Sequence, residues 1–174
     1  YWGIDRLHYL EARLTELGAR TSQTTDTPIF AQPVVPSSAA SAAPRELHYY
    51  LSFRSPYTYI AAARTKALAD AYGADLKLRF VLPMVMRGLP LGRPVERGYS
   101  LLPWARDQGR GFEYCHAFLE NVWSRGVDAA SDKGLKQIVE AAGLDWQAAR
   151  DLVGNDDWRA EAEANRAEMM DLGI

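Results

Sequence analysis

The stretch Leu47-His48-Tyr49-Tyr50-Leu51-Ser52-Phe53, running directly into Arg54-Ser55-Pro56-Tyr57-Thr58-Tyr59-Ile60-Ala61, decides how this chain is read. Residues 47–53 are rich in aromatic strand formers and leucine and predict a buried or half-buried strand. Ser55 is a favoured helix N-cap and Pro56 a favoured first helical residue, so a helix is expected from Pro56 to the stop at Gly73. Its apolar face is expected to be Ile60, Ala63, Ala67, Leu68 and Ala71, turned inward. Leu76–Leu82 alternates Leu76, Leu78, Phe80 and Leu82 with Lys77 and Arg79, the period of a second strand. Strand, helix and strand joined by short turns make a βαβ unit, which requires parallel pairing.

Downstream, Pro83, Pro90 and Pro94 with Gly88, Gly92 and Gly98 predict a loop to Gly98. Everything after it reads as helix. Tyr99–Gln108 is a short helix with Pro103 near its start, and Phe112–Ser124 carries Phe112, Cys115, Leu119, Val122 and Trp123 on one stripe. Ser131 caps a helix with Leu135, Ile138, Val139 and Ala142 inward. Asp145 caps another, and Asp156 or Asp157 the last, which runs to Leu172.

Upstream, Ile4, Leu7, Leu10, Leu14 and Leu17 fall at helical spacing, so residues 1–20 form an amphipathic helix with Gly18 at its end. Of the 24 residues from Thr21 to Pro44, 17 are Pro, Ser, Thr or Ala and only Asp26 is charged. That composition buries too little to offset its ordering entropy, so 21–44 reads as an extended linker and 45–174 as the main domain.

Composition excludes several classes of function. The 174 residues carry 20 basic and 22 acidic side chains, a formal charge of −2, which leaves no electrostatic footprint for nucleic acid. No apolar run is long enough to span a membrane, and no signal-peptide order is seen at the start, so a soluble cytoplasmic protein is expected. Cys115 is the sole cysteine, so no intrachain disulfide, CxxC pair or cysteine-rich zinc site can form from this chain. It lies on an apolar stripe and reads as a small core residue. The three histidines, His8, His48 and His116, are scattered without metal-ligand spacing, and no metal site is expected. Trp104, Trp123, Trp146 and Trp158 read as core or helix-junction residues, and Glu161, Glu163 and Glu168 among Arg159 and Arg166 as a solvated face.

The residue with most chemical promise is Ser55. Free amides at a helix start and the macrodipole favour an anion there, a thiolate included, and a hydroxyl adds one hydrogen bond. Ser-Pro at a helix start is also simply good capping and needs no function. Arg87 in Pro83-Met84-Val85-Met86-Arg87-Gly88 could pair with a carboxylate or stand solvated.

Leu-Ser-Phe-Arg-Ser-Pro-Tyr-Thr-Tyr-Ile-Ala, followed by a strand ending Val-Leu-Pro-Met, resembles the DsbA-like thioredoxin superfamily. Within it the chain looks most like the branch of 2-hydroxychromene-2-carboxylate isomerase and kappa-class glutathione transferase, in which a Ser-Pro-Tyr/Phe-Ser-like sequence stands where redox-active members carry CxxC. The resemblance runs from Leu47 to Ile174. It implies an α/β thioredoxin-like βαβ core with a large inserted helical subdomain at about 99–172. It also implies glutathione as cofactor, with Ser55 as the catalytic anion stabiliser and Ser55, Tyr57 and Arg87 as binding residues, and a small unsaturated aromatic acid as substrate. The family's C-terminal strand hairpin is missing from this chain, and Tyr1–Leu7 looks like the family's final helix. Residues 1–20 are therefore expected to close a preceding repeat of a tandem protein, and a second repeat or a homodimer mate is the expected partner. The alternative expectation is a redox-inactive thioredoxin-fold interaction module.

Overall fold

A computed structural model describes residues 7–19, 45–82, 85 and 88–173, which fall into two units divided between Ala42 and Ala43. In the first unit α1 spans Leu7–Glu16. The Gly18 φ of 68° closes it, and the Ala19 N–H reaches back to the Leu14 carbonyl at 2.9 Å. The linker expected at 21–44 lies outside the described residues.

The second unit begins with β1 (Glu46–Leu51), α2 (Pro56–Ala71) and β2 (Asp75–Phe80). The strands pair in parallel, Glu46 opposite Asp75 through Leu51 opposite Phe80. At the two ends of the ladder, the Asp75 N–H bonds the Arg45 carbonyl and the Val81 N–H the Leu51 carbonyl. Parallel pairing alternates, so odd-numbered residues of both strands face one another across the ladder. The N–H and C=O groups of Glu46, His48 and Tyr50 therefore point to the outer edge of β1. The Tyr49 hydroxyl donates to the Thr58 carbonyl of α2 at 2.9 Å, which assigns Leu47, Tyr49, Leu51, Leu76, Leu78 and Phe80 to the α2 side. Glu46, His48, Tyr50, Asp75, Lys77 and Arg79 share the opposite, polar face.

From Arg93 on, the described residues form α3 (Arg93–Asp107), α4 (Gly111–Trp123), α5 (Asp132–Ala141), the short α6 (Trp146–Ala149) with a 3₁₀ turn at Arg150–Leu152, and α7 (Trp158–Asp171). Ser131 and Asp145 cap as expected, accepting from the Gly134 and Gln147 amides at 3.0 and 2.9 Å. Leu135, Ile138, Val139 and Ala142 are buried.

Four expectations are corrected. β1 stops at Leu51 because the next amides leave the ladder: Ser52 N–H turns to Thr58 Oγ1 and Phe53 N–H to the Tyr99 hydroxyl. α3 starts at Arg93, not Tyr99, since Pro94 serves in its first turn and Pro103 lies deep inside it. The capping carboxylate expected for α7 is not used so; Asp156 instead pairs with Arg159 at 2.5 Å. Most consequential is α2. The residues it buries are the small Thr58, Ala62 and Ala69, while Ile60, Ala63, Ala67, Leu68 and Ala71 face solvent.

The core is an aromatic stack. Phe53 lies between Tyr99 (ring centroids 4.5 Å) and Phe118 (4.2 Å), and Tyr99 continues to Phe80 (5.0 Å) and Trp158 (5.3 Å). Gly98 makes this possible. A Cβ there would stand 2.8 Å from Phe118 Cζ and 3.0 Å from Phe53 Cδ2. Its carbonyl accepts the Tyr114 hydroxyl at 2.8 Å. Charges clamp the periphery: the Arg106 guanidinium holds Glu161, and Glu168 on α7 spans His48 of β1 and Arg79 of β2. Glu161 and Glu168 thus bind to other elements instead of forming a merely solvated face, and His48, also 3.1 Å from Glu46, has carboxylates at both ring nitrogens.

Candidate functional site

The turn Ser52–Ser55 between β1 and α2 is fixed from several directions. The Ser55 N–H bonds the Ser52 carbonyl at 3.0 Å, and the Arg54 N–H reaches Ser52 Oγ at 3.3 Å. Tyr99 accepts the Phe53 N–H at 2.9 Å, and the Trp123 indole N–H donates to the Phe53 carbonyl at 3.1 Å. The Arg54 guanidinium donates to the Pro90 carbonyl at 2.9 Å. α2, α3, α4 and the segment before α3 all hold these four residues. Such redundancy keeps a binding geometry from drifting.

Ser55 sits at φ −110°, ψ 115°, the extended conformation of an N-cap. Its Oγ accepts the Thr58 N–H at 3.3 Å, which leaves the hydroxyl hydrogen free to donate outward. Pro56 has no N–H, and the Tyr57 N–H has no acceptor among the described residues. One amide, one hydroxyl and the positive end of a 16-residue helix converge beside Ser55. That arrangement favours an anion.

Of the other expected site residues, Tyr57 stands in the same first turn and is 79% exposed, and no contact ties it to Ser55. Arg87 lies outside the described residues. Two contributors were not singled out as site residues. Trp123, 42% exposed, flanks the turn through its hydrogen bond to Phe53, and Tyr99 supports it from beneath. The clue for Trp123 is its place at the last turn of an apolar stripe whose centre, Cys115 and Leu119, is buried.

The chain's own sulfur plays no part here. Cys115 is buried, and that burial pushes its thiol well above the ordinary range, with Arg106 pulling weakly the other way. Ser55 at the N-cap and Thr58 three residues on both carry hydroxyls, and Thr58 Oγ1 is buried in its bond from the Ser52 amide. Among the described residues no cluster of three or more His, Cys, Asp or Glu side chains could hold a metal, and no helix is long and apolar enough to cross a membrane.

No family model matches the chain, and no curated protein does. Among solved structures it is similar to the "crystal structure of a putative protein disulfide isomerase from Nitrosomonas europaea", with a TM-score of 0.54 and 14% sequence identity over 76% of this chain and 81% of that one. At that identity the likeness is one of fold. The βαβ unit, the turn into α2 and the helical continuation together give the chain a thioredoxin-like fold of the DsbA type.

Proposed function

We propose that the chain binds glutathione with its sulfur at the start of α2 and serves a glutathione-dependent isomerase or transferase reaction on small unsaturated aromatic-derived acids. The observation that carries this reading is the pairing of an anion-favouring helix start with a sole cysteine, Cys115, that is buried away from it. Ser55 and Thr58 offer oxygen, not sulfur, while the helix terminus, the Ser55 hydroxyl hydrogen and the Tyr57 amide converge. A sulfur anion arriving with a ligand meets these donors.

Held there by the Ser55 hydroxyl and the Tyr57 amide, glutathione would supply a thiolate nucleophile for addition to the unsaturated carbon, with the displaced π electron pair taken up by the conjugated acid and, in the isomerase reaction, returned on expulsion of the thiolate without net redox change. Ser55 holds a proton toward the sulfur and does not attack, since no base adjoins its hydroxyl. The rigid turn keeps the donors aimed without reorganisation, the condition under which such groups are most effective. Trp123 offers an exposed aromatic flank for the substrate ring, and Tyr57 and Arg87 are assigned to the peptide part of glutathione.

Calorimetric titration with glutathione tests this, run beside Ser55→Ala and with S-methylglutathione as the ligand lacking a free thiol. Micromolar to low-millimolar binding, weakened by the substitution and by S-methylation, is the expected result. No heat with the unaltered chain overturns the reading and leaves a redox-inactive interaction module, with Ser55 only a helix cap.

A further inference from the structure

Arg54 stands immediately before the N-cap of α2, and its surroundings do not match its charge. It is half-buried, and its guanidinium donates to the Pro90 carbonyl at 2.9 Å. Among the described residues it meets no carboxylate. Three other half-buried arginines do: Arg79 meets Glu168 at 3.3 Å, Arg97 meets Asp132, and Arg166 meets Glu163 at 2.5 Å. Arg45 shares the lack, but among the described residues nothing holds its guanidinium in place. The tie from Arg54 to a neutral carbonyl uses one of five N–H donors and leaves the charge uncompensated, which partial burial makes costly. A neutral donor would serve that tie as well. The part of the fork left open matches the two oxygens of a carboxylate.

The same residue is built into the framework of the Ser55 turn. The Phe53–Arg54 peptide unit accepts the Trp123 indole N–H at its carbonyl, 3.1 Å, and donates its own N–H to Ser52 Oγ at 3.3 Å. The bond that seats the aromatic flank, the cation and the Ser55 hydroxyl are thus carried by consecutive residues, 53 to 55, of one fixed turn. We infer that Arg54 holds the carboxylate of the unsaturated acid, an inference that rests on the reading of this turn as a glutathione site. Arg54 then faces a carboxylate whose negative charge grows as the C–S bond forms and the C=C π pair moves onto it. The charge falls again when expulsion of the thiolate returns the pair, so no electron is gained or lost. A cation placed there binds most strongly between the two events, which is where binding accelerates a reaction.

Cinnamate and its amide, cinnamamide, are the probes, since they share ring and double bond and differ in charge. Calorimetric titration of the whole chain is expected to show cinnamate bound about tenfold more tightly than cinnamamide. Arg54→Gln keeps an N–H for Pro90. It should weaken cinnamate to the level of cinnamamide and leave both cinnamamide and glutathione unchanged. Arg54→Lys should restore part of the preference for the acid. Equal affinity of acid and amide for the unaltered chain, or no binding of either, overturns the inference, as does Arg54→Gln weakening both alike. Arg54→Gln that weakens glutathione and spares cinnamate overturns it too, because the carboxylate held would then be glutathione's own. The glutathione reading fails separately, on the absence of heat with glutathione, and that result leaves the comparison of acid with amide standing.

Discussion

The Tyr99 hydroxyl accepts the Phe53 N–H at 2.9 Å and also lies 3.4 Å from the Val81 carbonyl, to which it donates, so one phenol ties the carboxyl ends of both strands together. It does so while its ring is stacked on Phe53 and fully buried. Tyr99→Phe keeps the stack and removes both bonds, stranding a buried amide. The expected cost is about 1–3 kcal/mol, read as a lower urea midpoint with an unchanged slope.

Gly98→Ala sets two effects against each other. Alanine favours a helix interior by about 1 kcal/mol. The new methyl, however, needs space already held by Phe118 and Phe53. Both are buried, and overpacking costs about 1–3 kcal/mol. Net destabilisation is expected in thermal unfolding. A rise in Tm would mean that the stack yields more easily than its 4.2 Å and 4.5 Å spacings indicate.

Ser55→Asp and Ser55→Ala separate the cap from the anion site. Aspartate caps as well as serine, so stability should hold, whereas alanine loses about 1 kcal/mol. Both should weaken glutathione in the titration, and aspartate more strongly, because its carboxylate occupies and repels the anion position. Binding that survives Ser55→Asp would remove the sulfur from this turn.

Alkaline pH should destabilise the fold. Burial raises the Cys115 thiol and the Tyr99 and Tyr114 phenols, and pushes Tyr49 up to about 12. Above about pH 8.5 the unfolded chain releases the thiol proton while the folded chain keeps it, so stability falls as pH rises. The phenols extend the fall beyond about pH 10. Urea midpoints between pH 7 and 10.5 check this, and Cys115→Ala should flatten the first part of the decline. Ellman's reagent should label Cys115 slowly in the native protein and at once in urea.

The elements were readable where one local rule decided. Ser55, Ser131 and Asp145 sit at caps because their oxygens have an amide three or two residues on, and that is written in the sequence. The inward line of α2 was not. Both Thr58–Ala62–Ala69 and Ile60–Ala63–Ala67–Leu68–Ala71 have helical spacing, and hydrophobicity alone selects the second. The helix faces the other way: the line it buries is Thr58, Ala62 and Ala69, with the half-buried Tyr59 ring beside His116 of α4. The start of α3 was hidden for a similar reason: Pro94 reads as a loop marker and as a first-turn residue equally well. At the site, Ser55 was legible from its capping pattern. The contribution of Trp123 and Tyr99 was not, because 70 and 46 residues separate them from Phe53.

The odd–even division of the parallel ladder leaves a trace in amide hydrogen exchange. Along β1 the inward amides of Leu47, Tyr49 and Leu51 should exchange slowly, and those of Glu46, His48 and Tyr50 quickly, a comb with a period of two residues. A strand added to that edge would erase the comb by slowing only its fast teeth. A ligand held at the Ser55 turn would leave it intact. The backbone of six residues therefore records which side of the unit is covered.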